Sequence, residues 1–155
     1  MPQVSAGLLM YRIRRGTREV LLVHPGGPFF RKKDDGAWTI PKGQAATGEE
    51  LLEAAKREFQ EETGFAPVGQ FLELAPIKQK SGKTVHAWAV EGDLDATAIR
   101  SNTFTMEWPP KSGKQVEFPE VDRAEWFDLE TARKKIIPAQ AALIVELEQL
   151  PAHGN

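Results

Sequence analysis

Hydrophobic and polar positions first sort the chain into alternating and helical stretches. Val4 to Tyr11 and Glu19 to His24 read as two β runs around a polar turn at Arg14 to Arg18, where Gly16 supplies flexibility, so a hairpin is expected. His24 to Gly36 is a Gly/Pro-rich and charged passage that includes Arg31, Lys32, Lys33, Asp34 and Asp35, and reads as a loop. Ala37 to Ile40 fits a short buried strand stopped by Pro41, whose fixed φ and missing N–H end regular pairing. Leu51, Leu52, Ala54, Ala55, Glu58 and Phe59 then follow a helical period, with Thr47 and Glu50 spaced as a capping box and Gly64 and Pro67 marking the stop.

Beyond this helix, Val68 to Lys78, Thr84 to Glu91 and Asn102 to Trp108 are β-like. Trp126 and Phe127 precede a helix from about Leu129 to Lys135, and Pro138 opens a final helix ending near Leu150. Strands interspersed with helices predict an α+β or mixed α/β class. No internal repeat or long linker divides the 155 residues, so one domain over 1–155 is expected.

Composition narrows the function classes. With a formal charge of −2 the chain lacks the basic footprint of a duplex-DNA or membrane-surface binder. No apolar run approaches the roughly 20 residues of a membrane span, and the opening residues lack the order of a secretory signal, so a cytoplasmic protein is expected. The absence of cysteine rules out a thiolate nucleophile and a thiolate zinc site, leaving oxygen or imidazole for any metal.

Arg57-Glu58-Phe59-Gln60-Glu61-Glu62-Thr63-Gly64 places three carboxylates at offsets zero, three and four, on one helix face. Like charges at these spacings repel by a few tenths of a kcal/mol per pair, and the last helical turn favours cations by roughly 0.3–1 kcal/mol. A solvated acidic face neutralised by Lys56 and Arg57 is the plain explanation. A dication reverses the sign of both penalties, and magnesium, with manganese as a substitute, suits carboxylate oxygen.

With its neighbours the segment resembles the Nudix box: Gly43, Glu49, Arg57, Glu58, Phe59, Glu61, Glu62, Gly64 and Phe65 fill its fixed positions. The resemblance implies a mixed β-sheet sandwiched between α-helices, and metal-assisted hydrolysis of a phosphoanhydride bond in a nucleoside diphosphate-linked substrate. It implies Glu58 and Glu62 as magnesium ligands, Glu61 as a ligand or the holder of a water beside the metal, and the Gly43 carbonyl as a further ligand. Glu49 is a weaker candidate near the metals, or a stabiliser of the helix start.

Arg57 precedes Glu61 by four residues, so an ion pair that orients the carboxylate is available. The resemblance also allows a general base on a later loop or strand, for which the candidates are Glu120, Glu117 and Glu107, with Glu120 first because it shortly precedes the Glu125-Trp126-Phe127 strand, which resembles the family's region after the base-bearing loop.

Trp38-Thr39-Ile40-Pro41-Lys42-Gly43 resembles the dinucleoside polyphosphate hydrolase branch of that family. Trp38, Lys42 and Lys83 are therefore expected to touch substrate, and Arg31, Lys32, Lys33 and Lys80 could receive a polyphosphate. Trp88, Trp108 and Phe104 could stack on a base, although aromatic residues in strands more often fill cores; His86 reads as structural. The expected partner is a small nucleotide or polyphosphate, with neither duplex nucleic acid nor membrane, and with monomer and homodimer both open. The competing class is a Nudix-like module that senses a nucleotide without cutting it.

Overall fold

The computed structural model describes residues 4–150. Among these residues there are nine strands: β1 (Val4–Arg14), β2 (Thr17–Pro25), β3 (Lys42–Gln44), β4 (Phe71–Glu73), β5 (Ile77–Lys78), β6 (Thr84–Glu91), β7 (Thr103–Glu107), β8 (Gln115–Pro119) and β9 (Val121–Asp128). The helices are α1 (Leu51–Thr63), α2 (Leu129–Lys135) and α3 (Ala141–Glu148), the last entered through a 3-10 turn at Pro138–Gln140.

The first hairpin forms as expected but is tighter, because only Arg15 and Gly16 separate β1 from β2. Their φ angles of 53° and 79° are both positive, the turn geometry whose twist matches a right-handed strand pair. The main sheet runs β4-β6-β1-β2-β9, with β3 added to β1 and β5 to β6. β1 is its centre: it pairs in parallel with β6 from Val4↔Thr84 to Tyr11↔Glu91, and antiparallel with β2 and β3. Gly7 lets β3 close in, since a Cβ there would lie 2.6 Å from the Pro41 carbonyl oxygen.

A central strand covered on both faces reads as an unbroken apolar run, and β1 does so from Ala6 to Tyr11. Ala6, Leu8 and Met10 point to a core closed by Ala54, Ala55 and Phe59 of α1. Leu9 and Tyr11 point to the opposite core, closed by Ile136, Leu143, Ile144 and Leu147. The expected α+β arrangement, a mixed sheet between helices, is the one observed. Among the described residues no helix is long and apolar enough to cross a membrane.

Three local expectations are corrected. The capping box does not form: α1 begins after Glu50, whose side chain makes no cap bond, while Glu49 instead accepts the Ala46 N–H at 2.9 Å. Ala37 to Ile40 is buried at Ala37, Trp38 and Ile40 but makes only isolated bridges, Val23↔Thr39 and Trp38↔Ile136. β8 was not anticipated; it pairs with β7 to form a separate two-stranded ribbon.

Candidate active site

Helical period brings Glu58 and Glu62 to one flank of α1, one turn apart. Each is only 8% exposed, because the same helix buries Phe59 and Ala55 against the sheet beside them. Glu120 arrives from the junction of β8 and β9, and carboxylate oxygens of Glu58, Glu62 and Glu120 all lie within 4.8 Å of one another.

The backbone explains how an acid so distant in sequence reaches the helix. The carbonyls at the end of α1 lack helical partners and are caught by a passing segment: Arg100 N–H donates to Thr63 at 2.8 Å, and Asn102 N–H to Glu61 at 2.8 Å. The Asn102 carbonyl then accepts the Glu120 N–H at 2.8 Å, which ties the base of the β7–β8 ribbon to the acidic face.

β3 forms the opposite wall. A Cβ at Gly43 would sit 1.9 Å from Glu58 Oε1, so only glycine permits this carboxylate to approach the strand. Arg57 spans the acids: Nη1 donates to Glu58 Oε2 at 2.8 Å and to Glu61 Oε2 at 3.0 Å. Its Nε and Nη2 grip the two Glu49 oxygens at 2.8 Å and 3.0 Å, and Nη2 also reaches the Gln44 carbonyl at 3.3 Å.

Electrostatically the site is under-neutralised. Burial pushes the Glu62 carboxyl up to about 8, reinforced by the charges of Glu58 and Glu120 and opposed by Lys42. Burial also raises Glu58 and Glu120, with the charge of Glu61 adding to both and Arg57 opposing the rise at Glu58. Lys42 faces Glu62 and Glu58, yet burial and the neighbouring Lys83 lower its own pKa. Glu49 behaves oppositely: Arg57, helped by the Ala46 N–H, holds it at about 2. These residues fit a hard dication, since the donors are carboxylate oxygens and Gly43 leaves room beside one of them.

The family model for the NUDIX domain matches residues 1–147. The chain belongs to the Nudix family. Among similar proteins, Nudix hydrolase 7 of Arabidopsis thaliana is 37% identical over 115 residues, which is 69% of this chain and 39% of that protein. The match thus spans about two fifths of the Arabidopsis protein. An RNA pyrophosphohydrolase of Brucella anthropi is 32% identical over 133 residues, covering 73% of this chain and 70% of that one. A C. elegans Ap4A hydrolase in a binary complex shares the fold with a TM-score of 0.65 at 24% identity, over 94% of this chain and 95% of that chain.

Within this Nudix chain the expected residues are distributed unevenly. Glu58, Glu62 and Glu120 converge, Gly43 abuts Glu58, and Arg57 makes the expected bond to Glu61. Glu61 itself stands beside the tight triad, a third exposed and held by Arg57. Lys42 and Lys83 lie close enough to repel at the edge of the acids.

Trp38 is a correction to the sequence reading. It is 1% exposed, packed edge-on to His24 and Phe127 at 5.2 and 5.1 Å, with its indole N–H bonded to Asp34 at 2.8 Å, so it is a core residue with no surface to offer a substrate. Two alternative bases serve the ribbon instead: Glu107 accepts the Gly113 N–H at 2.8 Å and Glu117 the Thr103 hydroxyl at 3.0 Å. Glu49 is the residue whose role the sequence reading left open. It precedes the helix N-cap Glu50 and so lies outside the helical period, and no spacing in the sequence paired it with Arg57.

Proposed function

We propose that this chain is a divalent-metal-dependent hydrolase that cuts a phosphoanhydride bond in a nucleoside diphosphate-linked substrate, such as a dinucleoside polyphosphate or a modified nucleoside triphosphate. The observation that carries the reading is the meeting of Glu58, Glu62 and Glu120 within 4.8 Å beside a glycine that the geometry requires. Family membership and the pyrophosphohydrolase relative support acid-anhydride chemistry. Retention of the complete acidic set favours cutting over mere nucleotide sensing.

Glu58, Glu62 and the Gly43 carbonyl would hold magnesium, or manganese in its place, with Glu61 at the edge and the Glu120 carboxylate beside them. When bound, such an ion neutralises phosphate oxygens and makes a neighbouring water more acidic. The protein's own groups do the rest. Arg57 fixes the rotamers of Glu58 and Glu61, while Lys42 and Lys83 meet phosphate oxygens. Glu120 takes the proton of the attacking water, a role favoured by the burial that raises its basicity. The water oxygen bonds to phosphorus as the bridging P–O bond breaks, and the bridging oxygen leaves with the departing phosphate.

The test is incubation with a broad nucleotide panel in isotopically labelled water, with product identification. Products should form only with magnesium or manganese, carry label on one phosphate, and vanish for Glu61→Gln and Glu62→Gln. Turnover that persists in excess chelator, or in Glu62→Gln, overturns the proposal.

A further inference from the structure

The loop between β2 and β3 holds two aromatic side chains in the open, Phe29 at 59% exposure and Phe30 at 37%. Stability favours burying such rings, so packing alone does not account for them. Nor are they loose. Phe30 N–H donates to the Gly27 carbonyl at 3.4 Å and Lys33 N–H to the Phe30 carbonyl at 3.0 Å, two successive turns, and the Lys33 carbonyl lies 2.7 Å from the buried His24 ring. Phe29 meets Trp108 edge-to-face, at 5.5 Å and 84°, where the β7–β8 ribbon ends.

Positive charge accompanies the rings. Arg31, Lys32 and Lys33 follow Phe30 directly, while Lys111 and Lys114 stand in the turn beyond Trp108, whose N–H donates to the Lys114 carbonyl at 2.9 Å; all five are exposed. Among the described residues no ion pair engages any of them. The acids nearby are taken: Asp34 and Asp35 meet Lys135 at 2.7 and 3.0 Å, and Glu107 accepts the Gly113 N–H at 2.8 Å. A chain of formal charge −2 thus concentrates a basic, aromatic ledge in one place.

The ledge is joined to the acids without belonging to their site. The base of the ribbon is the bonded pair Asn102 and Glu120, and Trp108 stands six residues along it, about 20 Å away. A mononucleotide cannot bridge that gap, whereas a stacked nucleic-acid strand covers it in about six nucleotides. Exposed rings among unpaired cations suit such a strand, since bases stack on the rings and phosphates meet the cations. An anionic membrane would meet the cations equally, but gives no reason for rings held rigid or for a ledge strung to a phosphate site.

We infer that Phe29, Phe30 and Trp108, with Arg31, Lys32, Lys33, Lys111 and Lys114, form a docking surface for single-stranded nucleic acid. It holds the strand several nucleotides downstream of a 5′-polyphosphate end that lies at Glu58, Glu62 and Glu120. The placement of the 5′ end rests on the hydrolase reading; the docking surface does not.

The probes are 3′-fluorescein oligouridylates and oligothymidylates of two and eight nucleotides with a 5′ hydroxyl, read by anisotropy in chelator so that nothing turns over. The octamer should bind at least about tenfold more tightly than the dimer, and the RNA and DNA arms tell whether the 2′-hydroxyl contributes. Phe29→Ala should erase most of that advantage and Phe29→Tyr should keep it. Lys32→Ala combined with Lys111→Ala should flatten the slope of log affinity against log salt by about 0.7 per charge removed. Circular dichroism and melting of Phe29→Ala check its fold, which the exposure of the side chain predicts to be intact. With magnesium, the 5′-triphosphorylated octamer should exceed the triphosphorylated dimer in kcat/KM, and Phe29→Ala should remove the difference.

Equal affinity for octamer and dimer overturns the inference, as does octamer affinity unchanged in Phe29→Ala. Phosphatidylserine-vesicle binding that is lost in Phe29→Ala while octamer binding persists overturns it too, and assigns the ledge to a membrane. Turnover of free nucleotides with none of the bound triphosphorylated octamer overturns the placement of the 5′ end. Octamer binding without turnover of any strand or nucleotide counts against the hydrolase reading and leaves the docking surface standing.

Discussion

Helices α1 and α2 lie on opposite faces of one sheet and are built by opposite rules. α2 starts with Asp128 accepting the Thr131 N–H at 2.7 Å and ends with Arg133, Lys134 and Lys135, so both ends agree with the helix dipole. α1 starts at Glu50 without a side-chain cap and ends with no basic residue in its last turn, where Glu61 and Glu62 stand instead. Its conventional features are Glu53 in the first turn and Gly64 at φ 82°, whose N–H closes on the Gln60 carbonyl at 2.8 Å. α2 is a helix selected for stability; in α1 the stabilising choices yield wherever an acid is needed at the site, and packing of Ala54, Ala55 and Phe59 keeps it folded.

The contrast breaks most visibly at the acids. Glu58→Gln or Glu62→Gln should lower kcat by at least about a hundredfold while leaving the fold intact, measured by product release beside a thermal melt. Gly43→Ala comes next. Its Cβ would collide with Glu58, so turnover should fall together with a stability loss of about 1–3 kcal/mol in a denaturant titration. Glu49→Gln removes the partner that aims Arg57 and should cost about tenfold in kcat, with little change in melting temperature.

Dependence on pH sharpens the comparison in sign. Glu62 is raised from 4.5 to about 8 in the fold, so the folded chain retains a proton that the unfolded chain releases. Stability therefore falls as pH rises across that window. Without added metal the melting temperature should drop by about 5 °C between pH 5 and pH 8, and Glu62→Gln should flatten the slope. Asp128 has a depressed pKa, set by its bonds to Thr131, and acts in reverse. Its contribution is present above the ordinary aspartate range and is lost on acidification. Asp128→Ala should lower the melting temperature by a few degrees at neutral pH and leave turnover unchanged, the smallest effect of the set.

Chemistry written within one or two helical turns was legible without coordinates. The spacing of Arg57, Glu58, Glu61 and Glu62, the Arg57–Glu61 pair and the stop at Gly64 all follow from the 3.6-residue period and left-handed backbone at glycine, which depend on neighbours in sequence. The same locality misled at Thr47 and Glu50. The spacing is right for a capping box with Thr47 as N-cap, but Glu49 is drawn to Ala46 and Arg57, and the helix begins three residues later, after Glu50.

Tertiary structure alone decided what meets across long separations. Glu120 joins Glu58 and Glu62 because Asn102 links the end of α1 to the start of β9, and no period in the sequence encodes that bridge. Trp38 beside the box looked like a substrate contact, yet the strands and α2 close over it, since burying so large a ring against Phe127 outweighs exposing it. Local periodicity is a property of the chain; which faces end up opposed is set by how the whole sheet hides its apolar surface, and the third acid of the site is a product of that second step.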